Sequence, residues 1–194
     1  HFKAPLMRVL ARHEIDRLLH SLRLYPERCQ LVGVYALGKC QRVIALLREA
    51  GYDAPLYLHG ALAGLCALYE RHGVALGALL PATGAAKTEL AGKIVLAPPA
   101  AADDRWSRRL PDPVAALASG WMRVKQRAKA RGVELPLVIS DHADWDELTQ
   151  TLVDVGAPEI WVTHGNEEAL VHYAAGIGLK ARALALVGYE AEEE

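Results

Sequence analysis

Cysteine is scarce in this 194-residue chain: Cys29, Cys40 and Cys66 are the whole complement. An odd number with no C-x-x-C spacing argues against a disulfide framework and favours buried, reduced thiols, the state a cytosolic compartment maintains. A long apolar run is lacking too, and so is a signal peptide, which removes support for a membrane span or for secretion. Charge imbalance is also missing. With 22 Lys and Arg against 23 Asp and Glu, the formal net charge of -1 exerts no global pull on nucleic acid, so any such binding must come from local patches. What remains is ordinary for a packed cytoplasmic protein. A content of 52% hydrophobic and 23% charged residues suits one domain or two small ones.

The apolar pattern alternates strand and helix. Ile15, Leu18, Leu19 and Leu22 recur at helical spacing in residues 13–24, with Pro26 closing the helix. A strand follows at 31–37, a helix at 39–50 stopped by Gly51, a short strand at 56–58 and a helix at 61–71. Residues 77–86 read as a Gly/Ala/Pro-rich connector. Strands at 94–97 and 114–118 flank a loop through Asp104 and Arg109. The last third repeats the theme: strand 136–139, helix 144–155, strand 159–163, helix 166–175 and strand 181–186. Such alternation predicts an α/β fold, a mostly parallel sheet with helices on its faces. The acidic tail at 190–194 reads as solvating charge.

Two strands end in histidine: 136–139 runs into Ser140-Asp141-His142-Ala143-Asp144, and 159–163 runs into His164-Gly165. The carboxyl ends of strands are where open α/β sheets place ligands and catalytic groups, and imidazole shuttles protons or binds transition metals. Two such ends on one edge of one sheet point to acid/base or metal chemistry. A hydrogen-bonded structural role is the competing reading for each histidine alone.

Other residues suit phosphate. Gly38 and Lys39 stand at a strand-to-helix turn, where free backbone N–H groups and the helix dipole favour an anion. Ser119, Gly120 and Ser140 stand at strand ends, where they can also donate to phosphate. Arg123, Lys125, Arg127, Lys129 and Arg131 alternate along the chain beside Trp121. On a strand they would share one face and track a phosphate backbone, with the indole stacking on a base; on a helix they would spread over the surface. A merely solvated basic face is the competing reading.

Ser140-Asp-His-Ala-Asp-Trp145 and Val162-Thr-His-Gly165 resemble the last two signature motifs of the β-CASP nucleases, a branch of the metallo-β-lactamase fold. Tyr35-Ala-Leu-Gly-Lys-Cys-Gln-Arg42, Leu96-Ala-Pro-Pro99 and Ala118-Ser-Gly-Trp-Met122 fit that family in order and spacing. The nearest resemblance is to the bacterial ligase-associated DNA exonucleases, also called mRNA 3′-end processing factor-like proteins. It runs from about Phe2 to Leu186. The family's metal centre opens with a His-x-His-x-Asp-His cluster, and no His-x-His occurs here. Residues 2–5 resemble the segment after its last acidic motif. The chain is therefore expected to be the carboxyl-terminal half of a longer enzyme, with a natural truncation as the alternative.

The resemblance implies three regions: 1–20 leaving the metallo-β-lactamase core, 21–131 as the β-CASP cap, and 132–194 as the carboxyl-terminal part of the αββα core. It implies a zinc-dependent nuclease hydrolysing phosphodiesters, most closely a DNA exonuclease linked to repair ligation. An RNA 3′-end processing nuclease is the alternative, or a non-catalytic nucleic-acid-binding module should the first half be absent. By that resemblance His164 completes one site of a two-zinc centre, while His142 contacts the phosphate and protonates the leaving 3′ oxygen. Asp144 is the nearest carboxylate to orient His142, with a helix N-cap as its competing role. The implied partners are DNA or RNA, the missing amino-terminal half and a DNA ligase system. One histidine cannot hold two zinc ions, so the chain by itself is expected to carry none.

Overall fold

A computed structural model describes residues 5–102, 104–163 and 167–184, and the chain divides at Asp141 and His142 into two compact units. The first opens with helix α1 (Pro5–Leu24), in which Ala11, Ile15 and Leu18 are buried at helical spacing. It continues through β1 (Gln30–Gly33), α2 (Lys39–Glu49), β2 (Leu56–Leu58), α3 (Gly60–Arg71), β3 (Leu79–Pro81), α4 (Lys87–Leu90) and β4 (Ile94–Ala97). Then come α5 (Pro99–Ala102), a 3-10 turn at Ser107–Arg109, β5 (Val114–Ala118), a second 3-10 turn at Gly120–Arg123, α6 (Lys125–Ala130) and β6 (Leu135–Leu137).

The six strands form one sheet in the order β3-β2-β4-β1-β5-β6, and every neighbouring pair is parallel. The expected α/β fold is thus present as a doubly covered parallel sheet. Side chains alternate along each strand. Val32, Leu56, Leu58, Ile94, Leu96, Ala116 and Ala118 face a core shared with Ile15 and Leu18 of α1, Val43, Ile44 and Leu47 of α2, and Leu62 of α3. Leu31, Tyr57, Val95 and Ala97 face the other side, against Leu90 of α4 and Leu110. The central strands β1 and β4 are buried along their whole length, which explains their uninterrupted apolar sequences. Each large side chain taken fully out of water there contributes about 1.5–3 kcal/mol.

Two local expectations differ from the structure. The strand foreseen at 31–37 leaves the sheet after Gly33: Tyr35 and Leu37 are exposed, and Cys40 N–H turns back to the Tyr35 carbonyl at 3.0 Å. The connector 77–86 contains an edge strand, β3, ending in Pro81. Proline is tolerated there because an edge strand can leave one N–H position unpaired.

In the second unit, α7 (Trp145–Val155), β7 (Glu159–Val162), α8 (Glu167–Gly176) and β8 (Lys180–Ala183) follow in turn. β7 pairs with β8 alone, in a two-stranded parallel sheet. Trp145 meets Tyr173 edge to face at 5.7 Å, and Arg182 lies over Trp161 at 4.8 Å while pairing with Glu159 at 3.0 Å. Residues 185–186 of the expected last strand, and the acidic tail, lie outside the described residues. Among the described residues no helix is long and apolar enough to cross a membrane.

Candidate functional site

Chain direction fixes where a crevice opens in the six-stranded sheet. After β1 the chain runs toward β2 on one side; after β5 it runs toward β6 on the other. The carboxyl ends of β1 and β5, which are neighbours, therefore send their connections apart, and open α/β sheets bind ligands at such a switch point. The loops that meet there are Val34 to Gly38, Ser119 with Gly120, and Val138 to Asp141 after β6.

These loops are tied together by an ion pair whose lysine is buried and whose aspartate reaches solvent. Lys39, in the first turn of α2, is 3% exposed. Its ammonium donates to the Ile139 carbonyl at 3.0 Å and to Asp141 Oδ1 at 2.5 Å. Gly38 adopts φ 77°, a backbone region that glycine enters without a Cβ penalty. A Cβ there would also stand 3.3 Å from Asp141 Oδ2. Lys39 N–H donates to the Leu37 carbonyl at 2.9 Å, and Cys40 N–H is taken by Tyr35. The charge and two first-turn donors of α2 thus serve the protein itself. They position the Ser140–Asp141 segment against the helix.

Beside that tie, Ser119 N–H donates to the Leu137 carbonyl at 3.0 Å, and Ser119 Oγ accepts from Trp121 N–H at 3.3 Å. Gly120 is exposed, and a Cβ on it would lie 3.5 Å from Ser140 Cβ and 3.6 Å from its Oγ. Ser119, Gly120 and Ser140 therefore share one corner at the ends of β5 and β6. Trp121, 62% exposed, projects from the same turn, with Arg123 exposed close by in sequence. The basic run lies in a 3-10 turn and α6 rather than in a strand, so its alternation does not gather the charges on one face. Lys129 and Arg131 are exposed, whereas the side chains of Lys125 and Arg127 lie outside the described part.

His142 is exposed. Asp144 caps α7: its Oδ1 accepts from Glu147 N–H at 2.9 Å, and Glu147 Oε2 accepts from Asp144 N–H at 3.1 Å. This reciprocal capping box engages the carboxylate with the helix end. The expectation that both histidine-bearing strands belong to one sheet is not met. β6 is the edge of the six-stranded sheet, and among the described residues β7 pairs only with β8, in the other compact unit. His164 lies outside the described residues. Among the described residues no group of three or more His, Cys, Asp or Glu side chains is arranged to hold a metal ion.

Three relations were invisible in the sequence. Asp141 is a flanking residue there, and only the fold shows that it neutralises Lys39. Cys40 and Cys66, on α2 and α3, approach to 3.8 Å between sulfurs. His59 at the end of β2 caps α3 through Nδ1, which accepts from Ala61 N–H at 3.1 Å, and it meets Trp106 edge to face at 4.7 Å.

Fold and crevice together define an open parallel-sheet α/β protein with a polar corner at its switch point. No family model matches the chain. Over 150 residues, 77% of its length, it is 26% identical to a protein of Opitutus terrae named "Probable DNA ligase". The matched stretch spans 14% of that protein.

Proposed function

We propose that this chain is the strand-binding part of a DNA-processing enzyme, holding a phosphate backbone at the corner formed by Ser119, Gly120 and Ser140. The observation that carries the reading is the convergence of these residues at the carboxyl ends of β5 and β6, next to exposed Trp121. An exposed glycine and two hydroxyls suit phosphate oxygens, and an exposed indole suits a base. Similarity to a protein named as a DNA ligase favours DNA over RNA. On this reading Lys39 is a positioning residue that holds Ser140 in place through Asp141.

The fuller reading is a zinc-dependent exonuclease linked to repair ligation. There His164 would be one metal ligand among others from outside the described residues, and His142 the proton donor to the leaving oxygen. The binding step is tested by fluorescence anisotropy with single-stranded DNA and RNA of one sequence. DNA is expected to bind more tightly, and Trp121→Ala or Gly120→Val to weaken it at least about tenfold, the scale of one lost stacking contact. Equal affinity of these variants and the parent protein would refute the assignment, and a preference for RNA would shift the substrate to RNA 3′ ends.

A further inference from the structure

We propose that Cys40 and Cys66 form a reversible dithiol–disulfide pair, oxidised by hydrogen peroxide, that clips the first turn of α2 to α3 beside the residue holding the strand-binding corner. Both thiols are free and buried, and their sulfurs stand 3.8 Å apart in the core on one face of the sheet. A disulfide bond is about 2.05 Å long, so closure asks for an approach of less than about 2 Å between two packed helices.

The neighbouring amide gives the two sulfurs different roles. Gln41 Nε2 donates to the Ala36 carbonyl at 3.0 Å, which fixes the orientation of the amide, and its nitrogen then faces Cys66 Sγ at 3.5 Å. Cys66 thus accepts from Gln41, which Cys40 does not, and a hydrogen bond received by sulfur favours the thiolate. Cys66 is accordingly the attacking sulfur and Cys40 the resolving one. The Cys66 thiolate attacks one peroxide oxygen, the O–O bond breaks, and a sulfenic acid forms with release of hydroxide. Cys40 sulfur then attacks the sulfenic sulfur, the S–O bond breaks, and water leaves with the Cys40 proton. Two thiols lose two electrons and the peroxide is reduced to water. Cys29 packs in the core on the opposite face of the sheet, so it cannot join the pair and serves as an internal control.

The test is a peptide map of the protein after hydrogen peroxide treatment, alkylation in denaturant and digestion without reductant. The expected result is a linked Cys40–Cys66 peptide, Cys29 alkylated, loss of two of the three thiols, and full recovery with dithiothreitol. Sulfinic acid at Cys66 without the link, links that include Cys29, or no oxidation would overturn the proposal. Cys40→Ala should leave a Cys66 sulfenic acid that dimedone traps, while Cys66→Ala should leave Cys40 unreacted; trapping at Cys40 instead would overturn the assigned roles. The map of the unsubstituted protein decides the pairing whether or not either variant folds.

Discussion

Removing Asp141 should cost far more than removing its partner. In Asp141→Ala the Lys39 ammonium keeps the Ile139 carbonyl and loses its counter-charge, inside a side chain that is 4% exposed. Breaking a buried pair from one side costs about 3–5 kcal/mol, because a charge is left without compensation. The Asp141 side chain is 25% exposed, which moves the pair toward the weaker end of that range, about 3 kcal/mol. For a chain of this size each kcal/mol lowers Tm by about 2–4 °C, so the expected fall is about 6–12 °C. Lys39→Met removes the charge that needs compensation and keeps the packed stem. Asp141 can then turn to water, and the expected loss is about 1 kcal/mol or less. The double variant should resemble Lys39→Met alone, giving a coupling of about 3 kcal/mol. Urea unfolding followed by circular dichroism measures all three at constant m. Equal losses in the two single variants, or additive losses in the double one, would refute the buried-pair argument.

Asp144→Ala removes the capping box of α7 and should cost about 1 kcal/mol, while Asp144→Ser should recover most of it in the same unfolding assay. Gly77→Ala should destabilise by about 1–3 kcal/mol. Its φ is 73°, and its Cβ would lie 2.6 Å from Nε of Arg48, which donates to the Leu76 and Ala78 carbonyls; circular dichroism melting checks this. Burial pushes the Cys29 thiol up to about 12, so iodoacetamide at pH 8 should leave it unmodified in the folded protein and modify it in urea, as mass mapping will show. In a complete, metal-loaded enzyme, His164→Ala should lower zinc occupancy and activity together, and His142→Ala should lower kcat with zinc retained. Elemental analysis beside a nuclease assay separates the two.

Much of the fold was legible because its elements carry strong periodicity. α2 and β4 were placed to within a residue or two, since Val43, Ile44 and Leu47 repeat at helical spacing and Ile94 to Ala97 is an unbroken apolar run. β3 escaped because three residues ending in proline carry too little signal. The end of β1 was overrun because Tyr35 and Leu37 look like strand residues, whereas the turn depends on Gly38 at positive φ and on hydrogen bonds back to Tyr35 and Leu37. Strand-end residues Gly38, Ser119, Gly120 and Ser140 could be picked out locally, since turns punctuate apolar runs. Their meeting at one crevice required strand order, which is a long-range property. Lys39 shows the limit most clearly: a lysine after a glycine suggests an exposed cation, and only the fold reveals a buried one paired with Asp141.

The central claim is that the β5/β6 corner and the exposed Arg123 beside it hold a phosphate backbone, and the salt dependence of single-stranded DNA binding tests it most directly. Each phosphate contact releases condensed counterions, so log Kd against log salt has a slope of about 0.7 per contact. Replacing Arg123 with alanine is predicted to weaken binding and to flatten the slope by about 0.7, one phosphate contact. Unchanged affinity and slope in that variant would contradict it.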